Sequence, residues 1–385
     1  MHVGLNAHLL SFGTSYRGAG ISRYIRNLLP ALRQEGDNTY SVYLGDRDYP
    51  PEFSPDAHFR LRFSRLPTGN PSVRIIWEQL VAPLVIAAQG VQVLHSLGYV
   101  QPLAARYRSV VTFHDLSYVL YPDSFNVANR AYLRFFSRWT ARRADRLIAV
   151  SENTKQDLMR LLATPADKVD VVPHGIEEVF RPFPQEEVET FRRQKGLPER
   201  FLLFLGTIEP RKNLETLVEA YALLRAAGLP HALVIAGARG WQFEGVFAKV
   251  EQLGLSGSVL FPGYVPYSEQ PLWYNAADLF VYPSLYEGFG FPPLEAMACG
   301  APVVASRTSS LPEVVGDAGL LCDPHSAEAL ADAVRRALTE PDLRQHLAAA
   351  GLARAGLFSW RQAAKRTAEV YAKAVYGTSL ERASA

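Results

Sequence analysis

The chain has 385 residues, 48% of them hydrophobic and 20% charged, with 40 Lys and Arg against 38 Asp and Glu for a net charge of +2. That length exceeds what one hydrophobic core ordinarily fills, so two domains are expected. The near-neutral balance gives no ground for nucleic acid as a partner, and the two cysteines, Cys299 and Cys322, form neither a metal-binding spacing nor a disulfide framework.

The start, MHVGLNAHLL, runs directly into a predicted strand with no basic and apolar leader ahead of it, and the longest apolar run, Leu80 to Ala88, is broken by Pro83. A cytoplasmic protein is expected, with peripheral contact on the inner face of the cell membrane as a further expectation. RGAGISRYIRNLLPAL then predicts a helix opened by glycines. Gly18 and Gly20 match the first two positions of a dinucleotide fingerprint, but Arg23 occupies the third, which argues against NAD. A bare backbone at a helix N-terminus still suits a diphosphate. Tyr40 to Leu44 predicts a strand, followed by Asp46-Arg47-Asp48. This is formally a metal-holding DxD, yet it stands beside Pro50 and Pro51 and reads as a solvated loop.

Arg60, Arg62 and Arg65 alternate with Leu61 and Phe63 as on an exposed strand, and Ser72 to Ala88 predicts a helix. The strand Ser109 to Phe113 ends in His114, which suits a proton carrier or hydroxyl partner at the carboxyl end of a buried parallel strand. From Asn126 to Arg146 a helix carries Arg130, Arg134, Arg138, Arg142 and Arg146 at a spacing of four, a basic stripe with Phe135, Phe136 and Trp139 among it. Two readings stay open: a solvated face covered by arginine stems, or contact with an anionic lipid surface or a lipid-diphosphate acceptor. Arg146 to Val150 is a further strand, and Ser151 is placed to cap the next helix. EEVFRPFPQEE is polar and proline-bearing, so 176–184 is taken as a linker between domains at 1–175 and 185–362.

In the second series Phe201 to Leu205 leads into GTIEPRKNLETLVEAYALL, where Arg211 and Lys212 are expected just inside a helix N-terminus, a setting for a phosphate group. Further strands end at Ala236 and before Gly263-Tyr264. The stretch LFVYPSLYEGFGFPPLEAMACGAPVVAS then reads strand, loop, helix, strand. Pro292 and Pro293 suit the helix's first turn, and Gly300 suits the left-handed residue that ends it. Glu287 and Glu295 lie eight positions apart, the second expected in the opening turn, with Gly288 and Gly290 keeping the backbone between them bare. A carboxylate accepts two hydroxyl hydrogen bonds at once, which favours a polyhydroxylated ligand over a plain phosphate. Strands and helices alternate in two series, implying two parallel-sheet α/β domains.

GAGISRY, TFHDLS, IAVSENTKQDL, VVPHGI, GTIEPRKN, YPSLYEGFGFPPLEAMACGAPVVAS and LPEVVGDAGLL, in this order, resemble family 4 of the retaining glycosyltransferases. The resemblance spans nearly the whole chain. It implies the GT-B fold, two Rossmann-like domains facing each other across a central cleft, with a C-terminal helix (about 363–385, the segment after Trp360) crossing back onto the first domain. It also implies that Glu287 contacts donor-sugar hydroxyls, that Glu295 accepts hydrogen bonds from the nucleotide ribose, and that the N–H groups of Phe289, Gly290 and Phe291 line sugar and diphosphate. Arg211 and Lys212 would neutralise the diphosphate leaving group, with Gly20 approaching it; His114 would contact the sugar, and Tyr264 would lie at the base. Thr207 stands where many relatives carry an arginine, which puts more weight on Arg211 and Lys212. The forms EGFGFPPLEAMACG and SSLPEVVGDAG look most like mannosyltransferases of bacterial surface-polysaccharide assembly. The expectation is therefore transfer of mannose from GDP-mannose, or a hexose from a UDP-sugar, onto a saccharide or lipid-linked saccharide, without a metal ion or other cofactor. The rival reading is a sugar-nucleotide epimerase or NAD-dependent oxidoreductase.

Overall fold

The computed structural model describes residues 1–11, 20–45, 49–104 and 107–377. Gly18 and the Asp46-Arg47-Asp48 triplet lie outside the described residues. The chain divides into two compact units, residues 1–175 with 359–385, and 176–358. The segment expected as a linker belongs to the second unit: the Ile176 N–H donates to the Phe358 carbonyl, and the Phe183 N–H to Asn275 Oδ1. The chain returns to the first unit at Ser359, a few residues before the expected position.

In the first unit the described residues form a sheet of seven strands: β1 (His2–Asn6), β2 (Thr39–Leu44), β3 (Phe59–Phe63), β4 (Val93–Ser96), β5 (Arg108–Phe113), β6 (Arg146–Ala149) and β7 (Val169–Val171). Their order is β3-β2-β1-β4-β5-β6-β7, every pair parallel. The order reverses beside β1, which leaves the crevice at the carboxyl ends where doubly wound sheets bind ligands. Central strands are largely apolar and buried because helices cover both faces; Val3, Leu5, Val42, Val93 and Val110 form one core with Ile25, Leu28 and Leu29 of helix Ile21–Arg33. Ser151 Oγ accepts from the Thr154 N–H at 3.1 Å and caps helix Glu152–Leu162.

The helix expected over 72–88 is continuous but not regular. It runs as α (Pro71–Ile76), π (Trp77–Val81) and α (Ala82–Ala88). Pro83 lacks the N–H for the bond four residues back and its ring would meet that carbonyl, so the turn before it widens. The arginine-bearing helix ends at Arg143, not Arg146; Arg146 opens β6 and pairs with Asp170.

The second unit's described strands, β8 (Phe201–Leu205), β9 (Ala232–Ala236), β10 (Val259–Gly263), β11 (Leu279–Tyr282), β12 (Val303–Ser306) and β13 (Leu320–Cys322), pair in parallel in the order β10-β9-β8-β11-β12-β13.

The C-terminal helix Trp360–Tyr376 packs on the first unit, burying Ala363, Ala364, Val370 and Tyr371 in its core. Tyr371 OH lies 2.7 Å from His95 Nδ1, and Lys373 Nζ donates to Asp170 at 3.0 Å. The approach depends on Gly175, where a Cβ would stand 2.1 Å from the Trp360 backbone N. Gly175→Ala is therefore expected to destabilise the first unit by about 2–3 kcal/mol through overpacking against backbone, read as a lowered thermal midpoint of the full chain; an unchanged midpoint would remove this role.

Candidate active site

The second unit brings three of the expected residues, Arg211, Lys212 and Glu287, together at the carboxyl ends of β8 and β11. After β8 the chain makes a 3₁₀ turn, Pro210–Lys212, then a left-handed residue, Asn213 (φ +58°), before helix Leu214–Ala226. Arg211 and Lys212 thus precede the helix rather than lying inside its first turn. The turn is stitched to the loop after β11: the Arg211 carbonyl accepts from the Leu285 N–H at 2.9 Å and from Ser284 Oγ at 3.2 Å.

That loop carries Glu287, whose carboxylate is 9% exposed as a residue and heavily engaged. Its Oε1 accepts from Lys212 Nζ, from Ser284 Oγ at 2.6 Å and from Tyr282 OH at 2.9 Å; its Oε2 accepts from Arg211 Nη1 at 3.1 Å. Arg211 also reaches Glu209 Oε1 at 2.7 Å and the Tyr286 carbonyl at 2.6 Å. Lys212 Nζ, buried, spends a second N–H on Tyr282 OH at 2.7 Å. Burial alone would raise the Glu287 pKa, but the Lys212 and Arg211 charges and hydrogen bonds outweigh it and bring it to about 2. Burial, reinforced by Arg211, lowers Lys212. Two cations and two carboxylates therefore hold one another, a network with no net charge. Glu209, Tyr282 and Ser284 were not singled out from the sequence, although Glu209 and Ser284 stand two and three positions from residues that were.

The loop itself is fixed from behind. The Glu287 carbonyl accepts from the hydroxyls of Ser309 and Ser310, and the Phe289 carbonyl accepts from Ser310 Oγ at 2.7 Å. Gly290 sits at φ +111° with Leu311 3.0 Å from where a Cβ would be, so only glycine fits. Helix Phe291–Ala298 follows, with Pro292 and Pro293 at its start and Gly300 (φ +78°) just past its end. Because the helix begins at Phe291, Glu295 falls in its second turn, not its first. Glu295 is 1% exposed and accepts from Tyr274 OH at 2.7 Å. Tyr264, following Gly263 at the end of β10, is 51% exposed. Gly288 and Phe289 are buried within the loop, Phe289 against Phe358.

In the first unit Gly20 (φ +57°) opens helix Ile21–Arg33, with nothing within 4 Å of where a Cβ would stand. His114 follows β5. Its Nε2 lies 2.9 Å from the Leu97 carbonyl, which can only accept, so the ring proton is on Nε2 and Nδ1 offers a lone pair. Burial lowers its pKa to about 4. The imidazole is neutral near pH 7, and its Nδ1 can accept a hydrogen bond. A second buried chain was not foreseen: Glu78 Oε1 accepts from Asn6 Nδ2 at 3.2 Å, and Asn6 Oδ1 lies 2.9 Å from His8 Nδ1.

Residues 18–179 match the model for Glycosyltransferase Family 4, and residues 186–354 the model for glycosyl transferases group 1. A relative in Escherichia coli, the O-antigen chain mannosyltransferase B, is 36% identical over 266 residues, 69% of this chain and 70% of that protein. The chain belongs to glycosyltransferase family 4. As a family 4 glycosyltransferase it is also 32% identical to the serotype-specific mannosyltransferase WbdA of Escherichia coli, of whose length it spans about a third (34%). Sucrose-phosphate synthase from Thermosynechococcus elongatus superposes with a TM-score of 0.75 at 25% identity, covering 97% of this chain and 98% of that one. The lipopolysaccharide-biosynthesis glycosyltransferase WaaG shares the fold at TM-score 0.72 and 20% identity, covering 96% and 99%. The two parallel-sheet units of this glycosyltransferase are therefore of GT-B type.

The site predicts two acid responses. Between pH 4.5 and 2 the unfolded Glu287 carboxyl takes a proton while the folded one stays ionised, so stability falls as the pH drops through that window. A gap of about 2.5 pH units amounts to about 3 kcal/mol. The difference in thermal midpoint between wild type and Glu287→Gln should shrink across it; a constant difference would contradict the ion-pair network. For His114 the unfolded ring is protonated below pH 6.5 and the folded ring is not until about pH 4. Stability is again lost on acidification, and His114→Gln should flatten the slope between pH 6.5 and 4 in a pH series of unfolding midpoints.

Proposed function

We propose that this glycosyltransferase moves mannose from GDP-mannose, with retention of configuration and without a metal ion, onto a saccharide or lipid-linked saccharide acceptor. The observation that carries the reading is the Arg211–Lys212 pair, held rigid by Glu209 and Glu287 at the end of β8. When the sugar leaves, charge develops on the diphosphate oxygens, and donors already fixed in place stabilise it without reorganising. Lys212 retains a third N–H beyond the two spent on Glu287 and Tyr282, which this reading assigns to a phosphate oxygen. Protein cations then supply what a divalent ion supplies elsewhere.

In this reading Glu287 has two tasks. It holds the cations through Oε1 and Oε2, and it accepts a donor-sugar hydroxyl on the remaining capacity of Oε2. Glu295 accepts from the ribose, Tyr264 lies by the base, and Gly20 and the segment Gly288, Phe289, Gly290, Phe291 bring bare backbone to the diphosphate. His114 accepts a sugar hydroxyl through Nδ1. The departing phosphate takes the acceptor's proton, so no separate nucleophile is assigned. The mannose preference is supported by the mannosyltransferase names of the Escherichia coli relatives. A UDP-sugar donor is the second reading, since not every relative is named a mannosyltransferase: a D-inositol 3-phosphate glycosyltransferase in Thermobispora bispora is 35% identical over 60% of this chain and 56% of that protein. Contact with an anionic membrane through Arg130, Arg134, Arg138 and Arg142, and a place on the cytoplasmic face, complete the proposal; no acidic residue interrupts that helix.

A thermal-shift panel decides among donors. GDP-mannose should raise the midpoint more than UDP-glucose, and NADH should leave it unmoved. Turnover of GDP-mannose should survive EDTA and fall at least 100-fold in Lys212→Ala. Loss of turnover on chelation, restored by manganese, would overturn the metal-free mechanism.

A further inference from the structure

Three buried polar atoms gather at the carboxyl ends of β1, β2 and β4, and none has a hydrogen-bond partner among the described residues: His8 Nε2, Thr68 Oγ1 and Ser96 Oγ. Ser96 closes β4 opposite Asn6, the last residue of β1, so the two side chains stand on one face of the sheet. Thr68 and His8 both flank Gly45, just past β2. A Cβ at Gly45 would lie 2.8 Å from Thr68 Oγ1 and 3.6 Å from His8 Cδ2. The helix over 71–88 adds Glu78. Its π turn sends the consecutive residues Trp77 and Glu78 both inward, and such turns recur at functional sites. Trp77 packs on the His8 ring with centroids 4.1 Å apart.

Glu287 is met by four side-chain donors, whereas Glu78 has one, Asn6 Nδ2 at Oε1. Its Oε2 has no hydrogen-bond partner among the described residues, although burial raises the carboxyl pKa and only Arg74 and Asn6 oppose that. Because Asn6 spends an N–H on Glu78, its Oδ1 faces the His8 ring. The ring proton is therefore on Nδ1, and Nε2 carries a lone pair. Burial keeps that ring neutral, with a pKa of about 3. Asn6, His8 and Glu78 retain 9%, 6% and 7% of their surface, close to the 9% of His114 and Glu287. Buried polar groups left unpaired are costly, and a fold keeps that cost where a ligand offsets it.

We propose that this cluster takes hydroxyls of the acceptor saccharide, one donating to Glu78 Oε2 and a second to His8 Nε2, with the hydroxyls of Ser96 and Thr68 behind them. Lone pairs on Glu78 and His8 call for O–H donors, while the serine and threonine hydroxyls both give and take; a neutral polyol supplies both. The Glu78 carboxylate disfavours an anion, and Arg74, whose charge acts on both Glu78 and His8, disfavours a cation. Strands β1 and β5 are two spacings apart, about 10 Å, so the cluster shares a sheet edge with His114 within the span of a short oligosaccharide. The inference rests on the transferase reading for its ligand and is independent of which nucleotide the donor carries.

The test measures binding to the full chain, saturated with GDP, by ligand-observed NMR with three probes: methyl α-mannoside, methyl α-glucoside and methyl N-acetyl-β-glucosaminide. Wild type should bind at least one of them. Glu78→Gln keeps the size of the side chain and the Asn6 contact but sets an N–H where the free acceptor stood, and it should weaken that glycoside at least tenfold. Ser96→Ala, which removes a hydroxyl with no protein partner, should weaken it at least threefold. Neither variant should lower the thermal midpoint or change GDP affinity more than twofold. Unchanged glycoside affinity in Glu78→Gln, or no glycoside bound by wild type, overturns the proposal. So does a midpoint that falls in both variants, because the cluster is then structural and holds water only. Inorganic phosphate binding that depends on Arg74, in place of any glycoside, overturns it as well. If GDP itself fails to bind, the donor reading falls alone, and the same glycoside measurement on the nucleotide-free chain decides this one.

Discussion

The Glu287 carboxylate is the constraint from which the second unit's site follows. A buried anion is costly unless it is paired and fully hydrogen-bonded, and here four side chains supply the donors: Lys212, Arg211, Tyr282 and Ser284. The consequence runs in both directions. The cations fix the carboxylate, and the carboxylate, with Glu209, fixes the cations, so that neither Arg211 nor Lys212 has to be ordered when a ligand arrives. The lost side-chain freedom has been met on folding instead of on binding.

The same network changes how much charge is on offer. Two adjacent cations suggest a strongly positive site, yet the pairs with Glu209 and Glu287 leave it neutral. Selectivity in such a site comes from directed N–H groups more than from field strength. It also explains why the loop is clamped by Ser309 and Ser310, since a shift of the Glu287 backbone would release both cations at once. The first unit works by a comparable logic with neutral groups. His114 is held in one tautomer by Leu97, and His95 lies between Thr112 and Tyr371 of the returning C-terminal helix.

Much of this was legible because some residues speak locally. Glycine and proline at 290, 292, 293 and 300 have few backbone options, and they mark the ends of the helix between Glu287 and Ser306. Apolar runs at the central strands read correctly because both faces are covered. What could not be read depends on partners distant in the chain. The tautomer of His114 follows from a carbonyl 17 residues away, and the engagement of Glu287 from a lysine 75 residues away. Proline at 83 suggested an interrupted apolar run but not the π turn that absorbs it, and a left-handed Asn213 separates the cations from the helix they were expected to enter. The cluster at the end of β1 belongs to the same class: Asn6 and Glu78, 72 residues apart, meet only through the fold.

The central claim, that two pre-paired protein cations recognise the nucleotide's diphosphate, is tested most directly by titration calorimetry of GDP against GMP. Wild type should bind GDP at least tenfold more tightly than GMP, and Arg211→Ala with Lys212→Ala should bring the two affinities within about twofold. Equal affinities in wild type, or a preference for GDP that survives loss of both cations, would contradict the account.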